Sequence, residues 1–227
     1  PFEGTISEPT CISDRLMHIT IHGRENNTIF ISCYAPTLQA NNEDKEIFYE
    51  ALRKTVDSVP NNTKIVIAGD FNARVGRNHE VWKNALGRHG IGRENDNGNL
   101  LLQFCTEKNQ VLVNTMFYLK TKYKTTWQHP RSKEWHMIDY FIVRRTDFRE
   151  VLRCKIKRGA NCDTDHQMIK AELKLPRKIF KKAPTQNLKF NTALLRDEAT
   201  QVNFERNLRN HITNLEEENV SVEQMWT

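Results

Sequence analysis

The chain has 227 residues, of which 38% are hydrophobic and 27% are charged, and its formal net charge is +6 with a pI near 9.1. This is the composition of a globular protein with a core, and no run of the ~18 apolar residues that a membrane span needs is present. The basic balance suits a polyanionic partner such as nucleic acid, although many proteins without such a partner are also basic.

The five cysteines are widely spaced and form no C-x-x-C pair. An odd number without metal-ligand spacing argues against a disulfide framework and against a zinc site. We therefore expect reduced thiols in an intracellular protein, with the nucleus favoured over the cytoplasm.

The first part of the chain alternates strand and helix patterns. Residues 16–21 and 28–34 are predicted strands, and apolar residues recur at helical spacing from Glu43 to Val59. The apolar run 65–68 predicts a buried strand. The segment 74–98 is rich in Gly, Asn, Arg and His but does not open a helix directly after a strand, which excludes a dinucleotide or P-loop site. It fits a long mobile loop better than a loop that grips phosphate.

Later elements are mostly strands. After a predicted helix at Asn99–Glu107 and a strand at Val111–Asn114, residues 125–128 and 136–143 are predicted strands on either side of a basic turn. Residues 151–157 and 168–175 form the last predicted pair. Hairpin-linked strands with only two long helices indicate antiparallel or mixed sheets covered by helices.

Charge divides the chain into three parts. Residues 177–189 carry five basic residues and no acid, whereas 190–227 carry three arginines and seven acids. We therefore predict a domain at 1–176, a basic linker at 177–189 and a helical tail at 190–227. The tail has a partial apolar stripe, which could dock on the domain, meet a partner helix or lead into a further domain: Leu195, Val202, Phe204, Leu208, Ile212 and Leu215.

Polar groups that suit a metal or a phosphate gather at predicted strand ends. Asp70 and Asn72 follow the apolar run 65–68, where layered α/β folds meet ligands, although both are also common turn residues. Asp139 stands in an apolar strand and needs a partner, because a lone buried carboxylate is costly. Asp165 and His166 follow in the next loop, and a carboxylate would fix the histidine tautomer.

Five motifs, in this order, resemble the later motifs of the endonuclease/exonuclease/phosphatase superfamily, which includes DNase I and apurinic endonucleases: Tyr34-Ala35-Pro36, Gly69-Asp70-Phe71-Asn72-Ala73, Thr126-Trp127, Ile138-Asp139-Tyr140 and Thr164-Asp165-His166. Within the superfamily, residues 69–76 and 127–133 are most similar to the endonuclease of RTE-type non-LTR retrotransposons. The resemblance implies a four-layer α/β/β/α sandwich of the DNase I-like type, with the helical tail leading toward a possible reverse transcriptase module.

The resemblance also implies roles for single residues. Asp70 would activate the attacking water or help to hold a metal ion, and His166, oriented by Asp139, would stabilise charge on the phosphoryl oxygens. Asp165 would reach the metal ion, which is Mg²⁺ or Mn²⁺. The phosphate would be contacted by Asn72 and Tyr34.

The family places an asparagine and a metal-binding glutamate upstream of the tyrosine motif, further than this chain extends. Glu3 and Glu8 do not match that motif. The resemblance thus covers a domain that is incomplete at its N-terminus, and we expect this segment alone to bind Mg²⁺ poorly and to cut DNA weakly or not at all.

For DNA contacts we expect basic loop residues and one aromatic residue, although each basic residue alone could equally be solvated surface charge: Arg88, Arg93, Arg131, Lys133 and Trp135. The leading hypothesis is a divalent-metal-dependent DNA endonuclease domain. The alternatives are a non-catalytic remnant that binds nucleic acid or protein, and a phosphomonoesterase of the same superfamily.

Overall fold

We describe a computed structural model for residues 5–23, 26–160, 164–174 and 196–218. The chain divides into two compact units, Pro1–Ile179 and Phe180–Thr227. The predicted linker 177–189 and residues 190–195 of the predicted tail lie outside the described residues. None of the helices in the described part of the chain is long and apolar enough to cross a membrane.

A six-stranded mixed sheet forms the centre of the first unit. Its strands are β1 (Thr10–Ser13), β2 (Leu16–Ile21), β3 (Thr28–Tyr34), β4 (Lys64–Asp70), β5 (Gln110–Leu112) and β8 (Asp139–Arg144). They lie in the order β1-β2-β3-β4-β8-β5; the β3–β4 pair is parallel and the other pairs are antiparallel.

Helices α1 (Asn42–Asp57) and α2 (Asp96–Glu107) cover one face of this sheet. Helix α1 is the crossover that parallel strands require, since it connects β3 to β4. The alternation of side chains along a strand sends Ile65 and Ile67 of β4 into the core beneath the helices. Val66, between them, belongs to a second buried cluster on the opposite face.

The second cluster is closed by a hairpin of strands β9 (Val151–Lys157) and β10 (Met168–Leu173). Val66 of β4 and Val143 of β8 pack there with Val151 and Cys154 of β9. The helices, the large sheet and this hairpin are thus three successive layers of the DNase I-like sandwich that the resemblance implies. Both α-helices in the described residues of this unit contribute to the same core.

Three details differ from the sequence-based expectation. Strand β1 was not predicted, because all its residues are exposed and it lacks an apolar alternation. The predicted strand 136–143 is split: β7 (Trp135–His136) pairs with β6 (Trp127–Gln128), and β8 starts at Asp139. Asp139 therefore stands at the start of a strand, not inside it.

The glycine-rich segment 74–98 contains little regular structure before α2 begins, yet it is packed. Val75, Ala85 and Leu86 are buried in the core beneath the helices. These buried apolar side chains anchor the long segment to the domain core. The composition of the segment does not reveal this packing.

In the second unit, helix α3 (Glu198–Glu218) occupies most of the predicted tail. The Asp197 carboxylate accepts hydrogen bonds from the backbone and hydroxyl of Thr200, at 3.0 and 2.7 Å, which stabilises its first turn. Four residues of the predicted stripe keep about half of their surface exposed: Val202, Phe204, Leu208 and Ile212. Leu195 and the side chain of Leu215 lie outside the described part of the chain.

Candidate active site

Strand register brings three of the predicted residues side by side. Tyr34, the last residue of β3, is the register partner of Asp70 at the end of parallel β4. Asp70 is in turn the partner of Asp139 at the start of antiparallel β8. A phenol and two carboxylates therefore lie in one row at the edge of the central sheet.

Gly69 allows β4 to approach β3 closely just before Asp70. Its φ is +152°, and a Cβ atom there would lie 1.9 Å from the backbone oxygen of Cys33. That distance is impossible for real atoms, so the position admits only glycine without a shift of the strand.

The His166 imidazole is held by Asp139. Its Nδ1 atom lies 3.0 and 3.2 Å from the two carboxylate oxygens of Asp139. This hydrogen bond raises the pKa of His166, against the effect of partial burial. The backbone of the same loop is fixed, because Gln167 N–H donates to the carbonyl of Thr126 at 2.7 Å.

Asp70 stands in a partly buried environment that disfavours its charge. Burial raises the pKa of Asp70 to about 6, while a hydrogen bond from the backbone N–H of Asn72, at 2.8 Å to Oδ1, acts in the opposite direction. The Asp139 carboxylate adds to the upward shift of this pKa. A positive charge placed here would therefore be stabilised.

Asn72 adopts a left-handed backbone conformation, with φ +48°. Its side-chain amide donates to the carbonyl of Ala35 at 2.9 Å, so part of its hydrogen-bonding capacity is already used. The buried Asn97 donates to the carbonyls of Asn72 and Pro36, both at 3.1 Å, and so fixes the turn from behind.

One group in the described residues has the composition and spacing of a cation site. Asp70, Asp139 and His166 each offer a ligand atom, and these atoms lie within 4.8 Å of one another. Carboxylate oxygens are the ligands that hard divalent cations prefer, and burial together with the neighbouring Asp139 carboxylate raises the pKa of Asp70, so a cation here would stabilise its charged form. The three residues could therefore hold a divalent cation.

The predicted metal ligand Asp165 has a different contact. Its Oδ2 atom accepts a hydrogen bond of 2.7 Å from the indole Nε1 of Trp127, and the residue is exposed. Asp165 is therefore not part of the candidate cation site, although its neighbour His166 is. Trp127 is half-buried, and its ring lies 6.4 Å from the His166 ring, measured between centroids. Asp163 lies outside the described residues.

A cleft of about 580 Å³ opens beside these groups. Tyr34, Asp70, Asn72 and His166 all line it, and Tyr34 keeps 53% of its surface exposed. Several further residues line the cleft wall without having been predicted as site residues, among them Gln39, Arg74, Asn95, His129, Glu134 and His136. Arg74 and His129 lie in the segments 69–76 and 127–133 that carry the resemblance, and Asn95 is of a residue type that caps the helix following it.

Residues behind the site keep β8 in place. The Thr126 hydroxyl accepts from the N–H groups of Ile138 and Asp139, at 3.1 and 3.3 Å. The Asn114 side chain donates to the carbonyl of Asp139 at 3.1 Å and accepts from Phe141 N–H at 2.8 Å. Thr126 is part of a motif, whereas nothing in the local sequence around Asn114 reveals its contact.

The predicted DNA-binding residues fall into separate places. Arg131 and Lys133 are exposed on the β6–β7 turn, next to Ser132 and Glu134 of the cleft wall. The guanidinium of Arg158 lies over the Trp135 ring, 4.2 Å from its centroid, so one face of this indole is covered. Arg93 is exposed, and Arg88 lines a different cavity.

The DNase I-like sandwich and the polar groups at its sheet edge define a protein of the endonuclease/exonuclease/phosphatase superfamily. Within it, the chain belongs to the endonuclease-reverse transcriptase family, whose sequence pattern matches residues 28–170. Craniofacial development protein 2 from Bos taurus is 33% identical over 170 residues, which are 75% of this chain and 28% of that protein. Its counterpart from Tragulus javanicus is 32% identical over 170 residues, which are 75% of this chain and 29% of that protein. The chain thus spans less than a third of these relatives.

Two solved structures establish the fold. The endonuclease domain of TRAS1, a telomere-specific non-LTR retrotransposon, superposes with a TM-score of 0.54 at 11% identity over 76% of this chain and 68% of that one. The 3′ phosphatase NExo from Neisseria, bound to a product DNA hairpin, gives a TM-score of 0.53 at 17% identity over 76% and 71% of the two chains.

Proposed function

We propose that this chain is a divalent-metal-dependent DNA endonuclease domain of retrotransposon origin, which hydrolyses phosphodiester bonds. The observation that carries the proposal is the row Tyr34, Asp70 and Asp139 across three neighbouring strands, with His166 bonded to Asp139. The family membership supports it, as do a basic net charge of +6 and a cleft that these groups share.

Each side chain has a task that its environment supports. In the absence of a cation, burial raises the pKa of Asp70 to about 6, so its carboxylate can either accept a proton from a water molecule near neutral pH or help to hold a metal ion. His166, kept protonated more readily by Asp139, can donate to a phosphoryl oxygen as negative charge develops there. Tyr34 presents an exposed phenol to the same cleft, where it can contact the phosphate or the leaving oxygen.

Asp70 and Asp139 would hold the cation, which we propose to be Mg²⁺ or Mn²⁺ because both favour oxygen ligands and retain water. When bound, such an ion stabilises negative charge on the phosphoryl group and lowers the pKa of bound water. We propose that Asp165 contributes only after it leaves Trp127, since its carboxylate is now engaged with the indole.

The charge of the cleft favours a diester over a phosphomonoester. Arg74 is the one permanently cationic side chain among the cleft-lining residues of the described chain, and it is opposed there by Asp70 and Glu134. A phosphomonoester carries about −1.5 to −2 charges at neutral pH, against one for a diester, so the single arginine of this wall suits the diester better. Action on chromosomal DNA would place the protein in the nucleus.

Plasmid nicking tests the proposal. We expect the chain to convert supercoiled plasmid to open circles with Mg²⁺ or Mn²⁺, and the variants Asp70→Asn and His166→Ala to lose at least about a hundredfold of that rate. Matched controls are Asp44→Asn and His22→Ala, because both residues are exposed and neither lines the cleft.

Equal nicking by Asp70→Asn and by the wild type would contradict the proposal, as would hydrolysis confined to phosphomonoesters. Metal-independent DNA binding without any nicking would instead support the alternative of a non-catalytic remnant. In a longer protein that supplies further strands and ligands, nicking should rise. There we would place a reverse transcriptase module after α3, on the strength of the family description.

A further inference from the structure

A second cavity, of about 480 Å³, lies on the surface formed by the glycine-rich segment and the residues after β5. It shares no lining residue with the catalytic cleft. Its wall combines basic, imidazole and apolar side chains: His79, Glu80, Lys83, Leu86, Gly87, Arg88, His89 and Met116. We call this cavity, together with the adjacent Tyr118, the outer groove.

The backbone of the outer groove is fixed. Gly87 N–H donates to the Thr115 hydroxyl at 2.7 Å, and His89 N–H donates to the Thr115 carbonyl at 3.0 Å. A Cβ atom on Gly87 would lie 2.3 Å from that carbonyl oxygen, so the approach depends on glycine. The Lys124 ammonium donates to the carbonyl of His89 at 3.0 Å. Arg88 and His89 are therefore presented from a rigid loop, which lowers the cost of ordering them around a ligand.

The charge of the groove is positive. Glu80 is its one carboxylate, and it is engaged with His79 at 2.9 Å and with Lys83 at 3.7 Å. Arg88 is exposed and takes part in no ion pair among the residues that the structure describes. A guanidinium without a carboxylate partner on a rigid loop is a suitable phosphate contact.

An aromatic surface adjoins these cations. Tyr118 keeps 87% of its surface exposed, and its ring meets the His89 ring edge to face, with 5.5 Å between centroids and 69° between planes. Nucleic-acid bases stack on exposed aromatic rings of this kind, and the energy is about 1–3 kcal/mol per base.

We propose that the outer groove binds an unpaired stretch of nucleic acid, with a base on Tyr118 and phosphates on Arg88 and Lys83. A paired base is stacked within its helix and cannot lie on the tyrosine, so the groove should prefer single strands to duplex. The inference rests on the proposed function in that the ligand is nucleic acid, but it does not depend on hydrolysis.

Binding of fluorescent oligonucleotides to the full chain in EDTA tests this inference. We expect Tyr118→Ala to weaken binding of a single strand by about fivefold to a hundredfold and to leave binding of a blunt duplex unchanged. Tyr118→Phe should retain the wild-type affinity because it keeps the ring. Arg88→Gln should reduce the slope of log affinity against log salt by about 0.7 for the single strand.

Tyr123→Ala and Lys54→Gln are the matched controls, since both residues are exposed and lie outside the groove. Unchanged single-strand affinity in Tyr118→Ala would overturn the inference, and so would an equal loss for duplex. Displacement of the strand by polyglutamate as efficient as by unlabelled DNA would show a general anion site and overturn it too. Loss of nicking in the plasmid assay would leave these binding results intact, so the two proposals fail separately.

Discussion

Asp70 and Asp139 are direct register partners across the antiparallel pair β4–β8, although helix α2 and the short strands β5, β6 and β7 lie between them in the chain. Both stand at a strand end, so their carboxylates reach the same edge of the sheet. Two adjacent carboxylates concentrate negative charge at this edge, and that charge would stabilise a bound cation, alone or together with a phosphate group.

The first prediction concerns Gly69. We expect Gly69→Ala to destabilise the domain by at least about 3 kcal/mol, because the added methyl group would collide with the backbone of Cys33 and cannot turn away. Urea denaturation followed by circular dichroism measures the change. Gly159→Ala is the control, since a Cβ there meets nothing within 4 Å, and equal stability of the two variants would contradict the packing at Gly69.

A second prediction uses the pH dependence of the Asp139–His166 pair in EDTA. The folded-state pKa of His166 is raised above its unfolded value, so the stabilisation is fully present below about pH 6.5 and is lost as pH rises through the folded pKa. We expect the difference in Tm between the wild type and Asp139→Asn to be largest below about pH 6.5 and to shrink toward pH 9. A difference that grows with pH would show that the imidazole is not stabilised as a cation.

Third, the two aspartates assigned to the metal ion by resemblance should not be equivalent. Asp70 belongs to the three-residue group, whereas Asp165 is bonded to Trp127. In calorimetric titration with Mn²⁺ we expect Asp70→Asn to lose at least about tenfold in affinity and Asp165→Asn to lose less. The reverse order would show that the contact between Trp127 and Asp165 breaks when the cation binds.

The fourth prediction concerns Asn97, a residue behind the site. Asn97→Ala removes two buried hydrogen bonds to the carbonyls of Asn72 and Pro36 and should cost about 1–3 kcal/mol of stability. It should also reduce nicking, because the left-handed turn at Asn72 loses its support. Asn99→Ala is the control for both measurements, because this half-buried residue of the same helix donates to Glu94 and not to the turn. Equal effects of the two variants would show that Asn97 has no special part in holding the turn.

Local sequence was sufficient for the elements with a strong repeating pattern. Strands β2, β3 and β9 have the predicted bounds, because apolar residues alternate in the first two and turns flank all three. It was not sufficient for β1, whose residues are exposed, or for the break before Asp139, where only pairing with β6 separates β7 from β8.

The sequence by itself was sufficient to identify the superfamily and to nominate the candidate site residues, since motifs such as Gly69–Ala73 are short contiguous strings. The tertiary structure alone decided which of them meet: it placed Tyr34, Asp70 and Asp139 in one row, joined His166 to Asp139 and directed Asp165 to Trp127. It also formed the outer groove from segments that are distant in the chain. Strand register and loop packing depend on contacts between remote residues, and no local pattern encodes them.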